Sequence, residues 1–265
     1  MHKPAIPLGR RASLVLFGIF AFSLTLRAQY AFSLAPPPDV LSPEPRPWML
    51  GVIVGADMNR HRGDFLPECE ECSFHDGSGT GILAGLQVER ILPPSLGVAL
   101  RVLYDDYRAS YTETLTGQRR QVSDGTFATI DVERTMDVEL PYLTVNPSVE
   151  LFMFRNLYLF AGPAVGFPLR SRYRVVERLL DESFVYYETN TNEKVIGREV
   201  WTAVPDETAL RFDIRAGIGF NVKVGRSVIL APQAMYAYPL TTISSSDKDW
   251  KSESFSAALV LKWIL

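Results

Sequence analysis

The chain has 265 residues, 47% of them apolar, and a formal charge of −3. Its basic residues are scattered beside acids, which argues against a nucleic-acid partner. No internal run reaches the roughly 18 apolar residues of a membrane helix; that excludes a helical bundle and leaves a β-barrel open, because alternation dilutes the apolar residues of a barrel.

Residues 1–28 read as a secretory signal peptide. Lys3, Arg10 and Arg11 form its positive end, 12–26 its apolar core, and Ala28 a small residue before the cut at Gln29. The competing reading is an N-terminal anchor, for which the core is short. No cysteine follows the core, which argues against a lipid anchor. Residues 29–47 are proline-rich and read as an extended periplasmic lead-in.

The first predicted strand covers 48–57. Leu50, Val52, Val54 and Ala56 share one face, and Gly51, Gly55 and Asp57 the other. Residues 58–80 read as a loop holding the only two cysteines, Cys69 and Cys72. In an exported chain this spacing suits a small disulfide loop. A metal site or a thiol–disulfide site is the alternative, but zinc needs further ligands and redox chemistry a βαβ setting. His61 and His75, with Ser73 and Asp76 nearby, are the only side chains offering a catalytic cluster at a barrel rim.

The second and third predicted strands, 81–91 and 96–111, form a hairpin around Pro93-Pro94. Leu96, Val98, Leu100, Val102 and Tyr104 oppose Gly97, Ala99, Arg101 and Asp105. A polar loop is expected over 112–135. The fourth strand, 136–154, is ambiguous: Val138, Leu140 and Tyr142 share one parity, but Val145, Val149 and Leu151 share the other. A bulge near Pro141 or Pro147 is the expected reconciliation. The fifth strand covers 157–173, with Pro163 and Pro168 inside it, and a long charged loop covers 174–207, of which 183–189 is a candidate hairpin extension.

The sixth strand, 210–224, alternates most cleanly. Leu210, Phe212, Ile214, Ala216, Ile218, Phe220, Val222 and Val224 oppose Arg211, Asp213, Arg215, Gly217, Gly219, Asn221 and Lys223. Glycines beside charges suit the crowded interior of a narrow barrel, whereas on a solvated face they would only weaken the strand. The apolar face therefore points outward. The seventh and eighth strands cover 228–243 and 254–265.

The expected fold is all-β: an eight-stranded antiparallel up-and-down transmembrane β-barrel over 48–265, with long extracellular loops and short periplasmic turns. Glu89, Arg101, Asp105, Arg211, Asp213, Arg215, Lys223 and Lys262 are expected inside it as paired charges. Trp48, Tyr104, Tyr236, Tyr238 and Trp263, with Tyr107 and Trp250, are candidates for aromatic girdles, or else for ordinary strand packing. No catalytic residue, metal or cofactor is assigned.

This pattern resembles the small outer-membrane β-barrel families of Gram-negative bacteria, in the style of OmpX and the OmpA barrel. It is most similar to the PorT-like barrels of Bacteroidota. The likeness is carried by Ala28-Gln29, by Gly79-Thr80-Gly81 entering a strand, by the hairpin GLQVERILPPSLGVALRVLY and by a final strand running to Leu265. It implies an outer-membrane location, a lipid surround and no shared catalytic motif. It also implies a protein partner at the loops or periplasmic turns, as for an accessory of a secretion machine. A gated narrow pore and a lipid- or peptide-modifying enzyme are the further alternatives.

Overall fold

The structure is a computed structural model describing residues 48–65, 74–92, 95–122, 125–154, 156–181, 183–185, 194–196, 200–246 and 249–265. The expected signal peptide, the lead-in, Cys69, Cys72 and Ser73 lie outside the described residues, as does most of 183–189.

In chain order the strands are β1 (Trp48–Phe65), β2 (Phe74–Leu92), β3 (Leu96–Asp106), β4 (Ala109–Gln121) and β5 (Phe127–Glu139). Then come β6 (Pro141–Phe152), β7 (Leu157–Pro168), β8 (Arg172–Leu179), β9 (Val195–Ile196) and β10 (Thr202–Ala203). The last four are β11 (Arg211–Phe220), β12 (Val222–Lys223), β13 (Val228–Pro239) and β14 (Lys251–Ile264).

Eight of these close a barrel. The order β1-β14-β13-β11-β7-β6-β3-β2 returns to β1 through a full β1–β2 ladder, and every pairing is antiparallel. Closure leaves no barrel edge unpaired. The tight turns after β2, β6 and β12 lie at one end, and the long connections after β1, β3, β7 and β13 at the other.

The outward face forms an apolar belt. On β1 it runs from Trp48 to Met58, 11 residues. At about 3.3 Å per residue and a tilt of about 40°, that spans roughly 25–28 Å, the height of a membrane barrel's apolar band. Leu96, Val98, Leu100 and Val102 on β3 continue it, as do Phe212, Ile214 and Ile218 on β11 and Phe255, Leu259 and Trp263 on β14.

Above the belt the polarity of the wall inverts. The even positions of β5 and β6 point inward throughout, from Ile130 to Glu150. Val138, Leu140 and Tyr142 are buried above the belt, while Val145, Val149 and Leu151 belong to the outward face within it. No bulge is needed near Pro141 or Pro147, because the register of β3 on β6 runs unbroken from Leu96↔Leu151 to Asp106↔Pro141. The apolar face changes sides because the surroundings do: hydrocarbon below, water above.

The expected polar loop over 112–135 is instead the β4–β5 hairpin, which pairs with β8 to form a sheet standing above the barrel. Ile130, Val132, Met136 and Val138 are buried on its inner face. The fifth and seventh predicted strands end early, at Pro168 and Pro239, and the first and second are longer than expected, reaching Phe65 and starting at Phe74. Pro147 and Pro163 both interrupt the β6–β7 ladder, which lacks pairs between Val145↔Val165 and Val149↔Ala161. Asn146 Nδ2 donates to the Pro163 carbonyl at 2.8 Å, supplying from a side chain a donor that proline cannot.

Candidate functional site: the filled barrel interior

The interior is built in layers. At the short-turn end, Arg101 on β3 donates from Nη2 to Glu150 Oε1 on β6 at 2.6 Å and from Nε to Gln87 Oε1 on β2 at 3.0 Å. Gln87 Nε2 passes the chain to Glu89 Oε2 at 2.7 Å, and Lys262 Nζ on β14 donates to the same oxygen at 2.6 Å. Two cations and two carboxylates thus neutralise one another with almost no solvent exposure. The aromatic rings of β7 fill the space beside them. Arg101 lies over Phe160 at 4.3 Å and Lys262 over Tyr158 at 4.7 Å.

Gly217 and Gly219 make room for these rings. A Cβ on Gly217 would stand 2.4 Å from Phe160, and one on Gly219 2.3 Å from Tyr158. The sequence pattern placed these glycines beside charges; the structure shows that they face aromatic rings.

Next comes an apolar layer containing Ile53, Leu83, Leu103, Met235 and Val260. Above it a second polar group forms on β3 and β11. Arg215 grips Asp105 with both guanidinium nitrogens, at 2.7 and 3.3 Å, and donates to the Tyr107 hydroxyl at 2.7 Å. Arg211 Nε bonds Asp213 at 2.9 Å, and Nη2 donates to the Ser252 carbonyl at 2.6 Å. Its guanidinium stacks on Tyr107, 3.9 Å from the ring centre. Asp57 on β1 is a further buried carboxylate, but neither of its oxygens has a hydrogen-bond partner among the described residues.

An aromatic cluster closes the top. Phe65, Phe74, Tyr107, Tyr111, Tyr142, Tyr173 and Trp250 are buried together. His61 stands within it, and its bonds fix its tautomer. Nε2 lies 2.9 Å from the Tyr107 carbonyl, which only accepts, so Nε2 carries the proton. Nδ1 then accepts from the Tyr111 hydroxyl at 2.8 Å, and that hydroxyl accepts from Trp250 Nε1 at 2.7 Å. Each ring nitrogen of His61 is thereby committed.

Of the eight expected interior charges, Glu89, Arg101, Asp105, Arg211, Asp213, Arg215 and Lys262 are buried in these two networks. Lys223 is not. On β12, which continues the register of β11 on β13, Lys223 is exposed because it lies at the short-turn rim, beyond the filled interior. Sequence reasoning also missed Glu150 and Asn146, whose parity was hidden by the polarity inversion, and the uncharged Gln233; Gln87 falls on the inward face with Glu89, as the alternation of its strand places it.

An apolar belt outside and ion pairs buried inside a closed wall are the reverse of a water-soluble barrel. The chain is a membrane β-barrel of the outer-membrane type. Within this barrel the girdle candidates divide. Trp48 and Trp263 are exposed at the short-turn rim, with Arg90 over the Trp48 ring at 5.1 Å. Tyr236 and Tyr238 are exposed towards the opposite rim, and Tyr104 is half-buried on the same outward face. Tyr107 and Trp250 are no part of a girdle, since both are buried in the aromatic cluster.

No known family model matches the chain, and no curated protein matches its sequence. Among solved structures it is similar to Ail, the attachment invasion locus protein of Yersinia pestis, at 9% identity over 82% of this chain and 99% of that one, with a TM-score of 0.33. The Neisserial surface protein A is similar at 10% identity over 82% and 97%, with a TM-score of 0.32. The outer membrane protease OmpT of Escherichia coli is similar at 7% identity over 84% and 98%, with a TM-score of 0.34. At such scores the assignment rests on the closure and the two faces of the barrel itself.

Proposed function

We propose that this barrel is a non-enzymatic, non-conducting scaffold that displays the β4–β5–β8 sheet above the membrane for contact with another protein. The observation that carries the reading is the interior: two polar networks with an apolar layer between them, capped by buried aromatics. Eight strands enclose only enough space for side chains. The paired charges are therefore a plug, and the structure spends its length above the membrane on a sheet. That sheet has an outer face of paired charges, with Arg172 bonded to Glu139 at 2.6 Å and Arg174 to Asp137 at 2.9 Å.

Neither histidine supports catalysis in this reading. His61 is committed on both nitrogens, and His75 is an exposed partner of Asp64. A PorT-like accessory role in a secretion machine is the finer form of the same idea. The projecting sheet favours it, because a machine component needs a protein-facing surface.

Planar-bilayer recording tests the plug. Wild-type protein is expected to hold no steady conductance, and a stable open channel would overturn the reading. Replacing residues 110–137 by a short turn is expected to leave a heat-modifiable barrel that no longer captures its cellular partner. Turnover of lipid or peptide that disappears in His75→Ala would establish the enzymatic alternative.

A further inference from the structure

We propose that the long-loop rim of β1 and β14 binds the phosphorylated headgroup of an outer-leaflet lipid, with Arg60 and Lys251 as its cations. The proposal rests on the membrane-barrel reading and adds a ligand to it.

The belt ends in register on these strands, at Met58↔Phe255. The next two outward pairs are Arg60↔Glu253 and Arg62↔Lys251. Glu253 is already engaged on both oxygens. Arg62 Nη1 lies 3.1 Å from Oε1, and the Tyr236 hydroxyl donates to Oε2 at 2.8 Å. Asp64 is taken by His75, and Asp76 stands in register with Arg62. On the other side of Arg60 the neighbour is Ser78, which is uncharged. Among the described residues neither Arg60 nor Lys251 has an ion pair.

Two cations that make no ion pair among the described residues therefore sit within two rows of the hydrocarbon boundary, where lipid phosphates lie. They are diagonal neighbours across the ladder, about 7–8 Å apart at the backbone, so both long side chains reach one phosphate. A guanidinium suits the purpose, since its fork matches phosphate oxygens and it stays charged near hydrocarbon. Met58 and Phe255, 60% and 46% exposed directly below, offer apolar contact for the acyl chains of the same molecule. A freely dissolved anion would have no use for them.

The test uses full-length protein refolded into phosphatidylcholine vesicles containing either a bisphosphorylated glucosamine lipid or its dephosphorylated form. Native mass spectrometry after extraction counts the retained lipid. Two basic groups near a lipid surface should favour the phosphorylated form by about 30-fold. Arg60→Gln with Lys251→Gln should remove that preference, whereas Arg226→Gln, at the opposite rim, should keep it. Millimolar inorganic phosphate should not compete. Equal retention of the two lipids by a heat-modifiable barrel, an unchanged preference in the double variant, or competition by inorganic phosphate would each overturn the lipid site alone. Absence of any heat-modifiable form in vesicles would sink the barrel reading and this site with it.

Discussion

The same strand behaves oppositely in its two halves. Along β1 up to Met58, outward residues are apolar, and Asp57 is buried inside. Beyond Met58, outward residues are Arg60, Arg62 and Asp64, and the inward Phe65 joins an aromatic core. The pairing of β1 with β14 runs unbroken across this point, and the shift against β2 comes only further up, between Arg62 and Phe65; what changes at Met58 is the solvent. In the membrane half the apolar side chains face lipid and the interior must satisfy its own polar groups through ion pairs. In the aqueous half the interior is held by ordinary apolar burial.

The largest effect is expected at the aqueous core. Trp250→Ala removes the ring stacked on Phe65 at 4.2 Å and leaves Tyr111 without its donor. It should cost about 3–5 kcal/mol, read from the urea midpoint of refolded protein. An unchanged midpoint would mean that the upper half contributes nothing to stability.

In the membrane half the matching change is electrostatic. Lys262→Met leaves Glu89 and Glu150 against Arg101 alone, and it should destabilise by about 3–5 kcal/mol. Adding Glu89→Gln should recover most of that loss. Failure of the second change to rescue the first would show that Lys262 acts by packing on Tyr158 and not by charge.

Outer-face substitutions separate the halves directly. Leu100→Arg, in the belt, should cost about 2–4 kcal/mol, whereas Thr112→Arg on the outer face of β4 should stay within about 0.5 kcal/mol. Similar costs at both positions would mean that the boundary is misplaced. Trypsin accessibility in vesicles gives an independent reading of the same boundary.

The smallest effect lies at the exposed top. Asp64 holds His75 above its ordinary value, by hydrogen bond first and charge second. A raised value means that the pair stabilises at low pH, and that the contribution fades as pH rises through the folded-state value. Asp64→Asn should therefore lower the His75 titration midpoint seen by NMR, with no change in heat modifiability. An unmoved midpoint would show that the pair does not persist in solution.

Strict alternation in 210–224 identified a wall with two chemistries, and glycines on the charged side showed which face was inside. Turn lengths then placed the loops at one end and gave the count of eight. Those features are local, because pleat and turn length are properties of neighbouring residues. The extension was not legible in the same way. Ile130, Val132, Met136 and Val138 alternate as clearly as any barrel strand, but Arg134 falls on their buried face, where Glu177, its partner on the neighbouring strand β8 and 43 residues away in sequence, neutralises it at 2.8 Å.

Sequence alone determined that strands of the 48–265 region form a closed wall with charges inside and an apolar surface outside. Only the tertiary structure decided where each strand leaves the membrane, because that boundary appears as a change of apolar face, which a single strand cannot distinguish from a bulge. Tertiary structure also decided which charges meet. Arg215 and Asp105 are 110 residues apart, and Lys262 and Glu89 are 173 apart. Such pairs depend on barrel closure and strand register, to which no local pattern gives access.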